Sequence, residues 1–346
     1  MSLFDNVLGA IYSNLAIDLG TANIVISHSG TVIIDEPSIV AFDRQGKLLA
    51  VGREALLMHE KTHNDIVTIK PLKDGVIANF KAAECMIEGL IEKAITKKFY
   101  LFRPLLNNVI VGIPSGITDV EKRAVKDFAE HTGARNVYMV YEPIASMIGA
   151  DVDISKPQAA MIVDIGGGTS EIAVIVLSGI VCGKSIKVAG NQFTSDIIQY
   201  VRQKYNVLIG DNTGERIKIS VGAVRDAIDD KPEDIRIYGR DLSYGTPKEI
   251  VVSYRDVTQA VNNSITIIEN SILQVLEVTP PEISGDLHYS GIFLSGGGAL
   301  LRGLPDRIRE KTGIDVHVLN DPLKGVARGI NKIVNDIKLY RGVLIS

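Results

Sequence analysis

The chain has 346 residues, 46% hydrophobic and 23% charged, a globular composition that excludes a disordered or collagen-like protein. Its 37 Lys and Arg against 41 Asp and Glu leave a net charge of −4, so no global basic field draws nucleic acid. Cys85 and Cys182 make no disulfide framework, which points to a reducing cytosol, and no apolar run is long enough to span a bilayer as a helix.

In chain order, the start is apolar, yet the first basic residue is Arg44, so the charged beginning of a secretory signal is missing. Leu3, Phe4, Val7, Leu8, Ile11 and Tyr12 fall on one helical face. That face suits a short helix packed on the body or lying in a membrane interface. Leu15–Asp18, Asn23–Ser27 and Thr31–Ile34 read as strands, and Ala82–Thr96 as a helix. Asn108–Ile113 is a buried strand, followed by a helix over Asp119–Thr132 capped by Thr118 or Asp119. Val137–Val140 is a short strand, and Pro143–Gly149 opens a helix. Ala160–Asp164 and Glu171–Leu177 are strands around a glycine turn, and Phe193–Tyr205 is helical. Val257–Leu276 is a long helix stopped by Thr279-Pro280-Pro281; Gly291–Leu294 is a strand and Leu300–Lys311 a helix. The alternation is that of an α/β protein.

One stretch occurs twice. Ala16-Ile17-Asp18-Leu19-Gly20-Thr21 returns as Ile162-Val163-Asp164-Ile165-Gly166-Gly167-Gly168-Thr169, one domain length away. A strand that runs into Gly and Thr makes a tight hairpin whose backbone N–H groups suit an anion. Asp18 and Asp164, one at each strand end, suit Mg²⁺, which keeps several waters and takes few protein carboxylates beside phosphate oxygens. A single copy is no more than a hairpin; repetition at domain spacing implies a duplicated domain with a phosphate ligand between the halves. A third turn, Ser295-Gly296-Gly297-Gly298-Ala299, offers bare backbone to a base or sugar and a helix N-terminus. Neither a P-loop nor a G-x-G-x-x-G fingerprint occurs.

These motifs resemble the actin/Hsp70/sugar-kinase superfamily of duplicated ATPase domains. Within it the chain is similar, over nearly its whole length, to the MreB family of bacterial actin homologues. Further matching stretches are Lys70–Ile77, Gly112–Thr118, Gly214–Lys218, Thr279–Glu282 and Gly296–Gly303. The resemblance implies an actin-like duplicated ATPase fold of two lobes, each with a small inserted subdomain. The expected division is 1–37, 77–150 and 325–346 for the first core, with 38–76 inserted. For the second it is 151–187 and 254–324, with 188–253 inserted. The resemblance also implies ATP and Mg²⁺ as cofactors, slow hydrolysis coupled to polymerisation, and head-to-tail filaments that support cell shape at the inner face of the membrane.

Carried over by residue, Gly20, Thr21, Ala22 and Asn23 would hold phosphates from the first hairpin, and Gly166, Gly167, Gly168 and Thr169 from the second. Asp18 and Asp164 would hold Mg²⁺ through water. Glu215, Arg216, Ile217 and Lys218 would line the ribose and base side opposite Gly296, Gly297, Gly298 and Ala299. Glu142 matches the position that activates the attacking water, helped by Thr169; from the residues alone, Glu142 is also an acid favoured at a helix start. Three positions depart from the family pattern: Tyr141 replaces a second acid, Asn191 an Asp, and Ser170 a Thr. Such departures suit a divergent paralogue of the kind found in wall-less helical bacteria, and the first two bear on hydrolysis rate and site electrostatics rather than on nucleotide binding.

Lys97-Lys98-Phe99-Tyr100-Leu101-Phe102-Arg103 places three aromatics between cations, which suits an anionic membrane surface, as in the family's insertion loop. The C-terminal Ile337–Ile345, with Lys338 and Arg341, is a weaker membrane candidate. His59-Glu60-Lys61-Thr62-His63 matches the zinc-protease pattern, but the stretch reads as a helix end without a third ligand. An Hsp70-like ATPase or a small-molecule kinase of the same superfamily is the competing reading. The first would need a peptide-binding domain beyond the nucleotide fold, the second an acceptor pocket with a base.

Overall fold

The computed structural model describes residues 12–28, 30–59, 61, 65–98, 105–130 and 133–345. They fall into two units. One draws on Met1–Lys156, Leu177–Ile180 and Lys324–Ser346, the other on Pro157–Val176 and Val181–Leu323.

The first unit begins with a meander of β1 (Tyr12–Leu19), β2 (Asn23–His28) and β3 (Thr31–Pro37). Next come β4 (Val40–Asp43), β5 (Leu48–Val51), α1 (Arg53–Met58) and β6 (Ile66–Ile69), whose strands form a small sheet in the order β5-β4-β6. A short pair, β7 (Leu72–Lys73) and β8 (Val76–Ile77), leads into α2 (Phe80–Lys98). Then follow β9 (Leu105–Ile113), α3 (Asp119–Glu130), β10 (Asn136–Tyr141) and α4 (Glu142–Gly149). The main sheet has the order β10-β9-β1-β2-β3, with β9 parallel to both β1 and β10.

The second unit repeats this plan. β11 (Ala160–Ile165), β12 (Ser170–Val176) and β13 (Gly179–Ile186) lead to α5 (Gly190–Tyr205). β14 (Val207–Leu208), α6 (Asp211–Val221), β15 (Ile235–Asp241) and β16 (Pro247–Val252) supply a small sheet, β14-β15-β16. α7 (Tyr254–Val278), α8 (Pro281–Ser290), β17 (Ile292–Ser295), α9 (Leu304–Thr312) and β18 (Val316–Val318) complete it. Its main sheet has the order β13-β12-β11-β17-β18, with β17 parallel to β11 and β18. Read from the parallel edge, both sheets have the same strand order, so the repeat seen in the sequence is a repeat of topology.

Local chemistry explains the elements. Every residue of β11 is buried, as expected of a central strand covered on both faces. Thr118 and Glu121 cap α3 reciprocally: Thr118 N–H and hydroxyl reach the Glu121 carboxylate at 2.8 and 2.7 Å, and Glu121 N–H returns to Thr118 Oγ1 at 3.3 Å. Ser253 and Asp256 form the same box at the start of α7. The last helix, α10 (Gly325–Asn335), returns to the first unit, and Ala327, Ile330, Ile333 and Val334 face its core. It crosses α4 with no side chains between: a Cβ on Gly329 would lie 1.7 Å from the Ala145 carbonyl oxygen, and one on Gly149 2.1 Å from that of Gly325. Lys332 donates to the Ile148 carbonyl at 3.0 Å and pairs with Asp151 at 2.6 Å, closing the negative end of α4. That ammonium holds the exposed Asp151 carboxyl below its ordinary value.

One expectation needs correction. The helix expected from Leu300 begins at Leu304; Gly297–Leu300 is a single 3₁₀ turn, and Gly303, with φ of 79°, separates the two, with Pro305 in the first turn of α9. Within the C-terminal stretch Val343 is buried and Ile345 exchanges backbone hydrogen bonds with Met139 at 2.8 and 2.9 Å, while Lys338, Leu339 and Arg341 are exposed.

Candidate functional site

Both repeated hairpins have the same register. In the first, Asp18 faces Val25 and Leu19 faces Ile24; in the second, Asp164 faces Glu171 and Ile165 faces Ser170. Four residues therefore turn the chain in each case: Gly20 to Asn23, and Gly166 to Thr169. Each turn follows the carboxyl end of a strand in a parallel array, where open α/β sheets bind ligands.

In the first unit, β1, β9 and β10 end together. Ile17 and Met139 both face Val111, and Tyr141 faces Ile113. Asp18, half-buried, and Glu142, the first residue of α4, sit at these strand ends. Gly112 makes room there: a Cβ would meet Ile330 Cδ1 at 2.9 Å and Glu142 Cγ at 3.7 Å. The turn is held by residues that follow β3. Thr21 Oγ1 accepts the Gly75 N–H at 3.0 Å, and Ser38 donates its hydroxyl to the Gly20 carbonyl at 2.6 Å and its N–H to that of Ala22 at 2.9 Å. Ala22 and Asn23 are exposed, and the Asn23 amide reaches Asp35 at 3.4 Å.

In the second unit, Asp164 faces Ser295 at the end of β17, and both are buried. The third glycine turn follows directly and lies on β11. A Cβ on Gly296 would come within 2.3 Å of the Ile165 carbonyl oxygen and 2.6 Å of Asp164 Oδ1; one on Gly298 would strike the Ile165 side chain at 2.3 Å. The structure thus joins two motifs that the sequence presents more than a hundred residues apart. Gly190 N–H donates to the Gly166 carbonyl at 3.0 Å, and Asn191 N–H to that of Gly167 at 2.8 Å, so α5 starts on the turn. The buried Ser170 hydroxyl donates to Val188 O at 2.6 Å, and Thr169 is also buried. On α6, Lys218 donates to Gly190 O at 2.8 Å and pairs with Glu215 at 2.7 Å.

The residues of the third expected group part company here. Glu215 and Lys218 face α5, one helical turn apart. Arg216 is exposed on another side of α6, and Ile217 is fully buried in the hydrophobic core, so its side chain lines no ligand surface. Ala299 is buried too. Sequence reasoning missed Ser38 and Thr194 and gave no role to Gly112 or Gly75. Ser38 carries no motif, but Gly112 and Gly75 stand inside stretches that the family resemblance covers.

Asp18 and Asp164 stand at equivalent strand ends, each in its own unit. They are hard oxygen donors, one per unit, and among the described residues no group of three His, Cys, Asp or Glu could hold a metal. Each is a kind of donor that Mg²⁺ takes beside water and phosphate oxygens. His59 lies beyond the end of α1 and its ring Nδ1 meets Thr68 Oγ1 at 2.8 Å; Glu60, Thr62 and His63 of the zinc-protease pattern lie outside the described residues. Near Glu142, the Lys122 ammonium lies 6.0 Å from the Tyr141 ring centroid. Its pKa is raised, mainly by the hydrogen bond it donates to Asp119. Phe99–Phe102 and the N-terminal segment through Ile11 lie outside the described residues. Among the described residues no helix is long and apolar enough to cross a membrane.

The profile of the family described as MreB/Mbl protein matches residues 12–341. The chain belongs to the MreB/Mbl family. The cell shape-determining protein Mbl of Bacillus subtilis is 42% identical over 326 residues, 94% of this chain and 96% of that protein. The cell shape-determining protein MreB of Escherichia coli is 40% identical over 344 residues, 98% of each. The crystal structure of MreB5 of Spiroplasma citri bound to AMPPNP superposes with a TM-score of 0.89 at 35% identity, covering 96% of this chain and 98% of that one. A MamK double helical filament, 22% identical with a TM-score of 0.77 over 94% of this chain and 99% of that one, shares the fold. This MreB/Mbl chain therefore has the actin-like duplicated fold, a five-stranded sheet in each unit with a smaller sheet inserted.

Proposed function

We propose that this protein binds and slowly hydrolyses ATP and polymerises into membrane-associated filaments that support cell shape. The observation that carries the reading is the repeated hairpin: the same Asp, the same register and the same four-residue turn close the same strand in two copies of one topology. The relatives support it, since Mbl and MreB are named as cell shape-determining and the Spiroplasma MreB5 structures hold AMPPNP or ADP.

In this reading the backbone N–H groups of Gly20–Asn23 and Gly166–Thr169 bind the phosphates. Asp18 and Asp164 would hold Mg²⁺ through water, and the ion would neutralise charge developing on the phosphate oxygens. Glu215, with Lys218 behind it, meets the ribose, and Gly296–Gly298 leave flat backbone for the base. Glu142 orients the attacking water, and Thr169 hydrogen-bonds it. Phosphoryl transfer asks little more of a protein than positioning and charge stabilisation. Residues 38–76 and 188–253 are the inserted subdomains. Head-to-tail contact between identical subunits does not close on itself and gives filaments. The run from Lys97 to Arg103 and the apolar N-terminal segment supply contact with the inner face of the membrane.

Sedimentation with negative-stain imaging, in Mg²⁺-ATP and in EDTA without nucleotide, tests the proposal. Filaments that need nucleotide are expected. Absence of polymer in both conditions, with lipid vesicles present, would overturn it. A Glu142→Gln variant should keep ATP affinity and lose phosphate release by about a hundredfold or more.

A further inference from the structure

We infer that Thr194 is a positioning residue of the nucleotide site: it fixes Glu215 for the ribose and ties that side of the site to the Gly166–Gly168 turn. The inference rests on the reading of Glu215 as a ligand of the nucleotide.

The Lys218 ammonium has three protons and three acceptors: Gly190 O at 2.8 Å, Glu215 Oε2 at 2.7 Å and Thr194 Oγ1 at 3.1 Å. It is saturated by the protein, so it reaches a ligand only by giving up a bond. Glu215 differs. Both of its bonds fall on one oxygen, Oε2, which also accepts the Thr194 hydroxyl at 2.7 Å. Its side chain keeps 44% of its surface, so the other oxygen is free to meet a ribose hydroxyl. The carboxylate contacts the ligand and the lysine holds the carboxylate.

Thr194 is the hinge of this arrangement. It is only 7% exposed, too deep to touch a nucleotide itself. Its hydroxyl has two acceptors in reach, Glu215 Oε2 at 2.7 Å and the Gly190 carbonyl at 3.1 Å, the shorter contact being to Glu215, and its oxygen accepts a hydrogen bond from Lys218. Its helix also carries Gly190, whose carbonyl receives Lys218 and whose N–H holds the Gly166 carbonyl. The close approach of α6 that permits these bonds is built in at Gly214, where a Cβ would meet Ile198 Cγ1 at 2.8 Å and Thr194 Cγ2 at 3.0 Å. Ribose side and phosphate turn are therefore linked through the first turn of α5.

The test is calorimetric titration of the full chain with Mg²⁺-ATP and with Mg²⁺-2′-deoxyATP, alongside thermal unfolding. Thr194→Val keeps the shape and removes the hydroxyl. It should weaken ATP binding about tenfold and shrink the preference for ATP over 2′-deoxyATP, because Glu215 loses a charge-assisted hydrogen bond. Thr194→Ser should restore both to within about twofold of wild type. Should Thr194→Val fail to fold, Thr194→Ala set against Thr194→Ser gives the same comparison. Wild-type behaviour of the hydroxyl-less variant, equal losses in the Val and Ser variants, or an equal loss for the two nucleotides would each overturn the inference. A wild-type chain that binds neither nucleotide would instead overturn the functional reading on which it stands.

Discussion

The two hairpins have the same shape and different supports. The first, Gly20 to Asn23, carries side chains at three of four positions and is braced by Ser38 and the Gly75 N–H, both beyond β3 in its own unit. The second, Gly166 to Thr169, has three glycines. It is braced by the 3₁₀ glycine turn after β17 and by the backbone at the start of α5. A turn that binds an anion through its backbone must be rigid, but the fold supplies rigidity in whatever way its neighbours allow. Duplication kept the strand register and let the scaffolding diverge.

The comparison can be broken by substitutions of decreasing force. Gly296→Ala should act most strongly. Its φ of 77° disfavours any side chain, and the new Cβ meets the Ile165 backbone at 2.3 Å. A loss of about 3 kcal/mol or more is expected, read as a drop in unfolding temperature, with the second turn displaced.

Next is Asp256, which anchors the far end of α5. It is buried and accepts hydrogen bonds from Lys204, Tyr205, Ser253 and Tyr200. Burial alone pushes its carboxyl up, but the hydrogen bond from Lys204, with those from Ser253 and Tyr205, outweighs it and holds the pKa below the usual value. Its contribution is then fully present above about pH 4, the unfolded value, and is lost as pH falls through the lower folded one. Asp256→Asn should cost about 3 kcal/mol at pH 7 and flatten the acid limb of the stability curve, by denaturant titration across pH.

The third test sharpens the contrast between equivalent glycines. A Cβ on Gly20 would sit 2.5 Å from the Asn23 carbonyl oxygen, whereas one on Gly166 would sit 3.4 Å from that of Thr169. Gly20→Ala should cost about 2 kcal/mol and Gly166→Ala under about 1, by the same denaturant measurement. Smallest is Ser38→Ala, which removes the brace on Gly20 for about 1 kcal/mol and should loosen the first turn alone, seen as faster amide exchange there.

The sequence made the cores of both units legible, because their strands are short and nearly all apolar and the Asp–x–Gly turn recurs. It was less informative where pattern and glycine compete. The helix α10 escaped because Gly325 and Gly329 interrupt its apolar face, and in structure those glycines are its contact with α4. The helix α6 escaped because most of its residues are polar and Gly214 dilutes the signal. The strands β15 and β16, with Arg236, Tyr238 and Glu249 on one exposed face, were not named as elements. The start of α9 was misplaced by four residues, although Gly303 and Pro305 mark it. Within the candidate site, glycines and acids were visible as motifs. Their neighbours were not: nothing local reveals that Gly296 lies on Ile165 or that Thr194 reaches the next helix.

The crossing of α4 and α10 has a mechanical meaning. Two helices that touch through side chains can slide by changing rotamers, each small repacking absorbing part of the motion. Here backbone meets backbone at Gly329 and Gly149, and Lys332 bolts the end. Such a joint has no soft degree of freedom. The two helices are therefore expected to move together, so that a displacement of the C-terminal helix is carried into α4, whose first residue is Glu142.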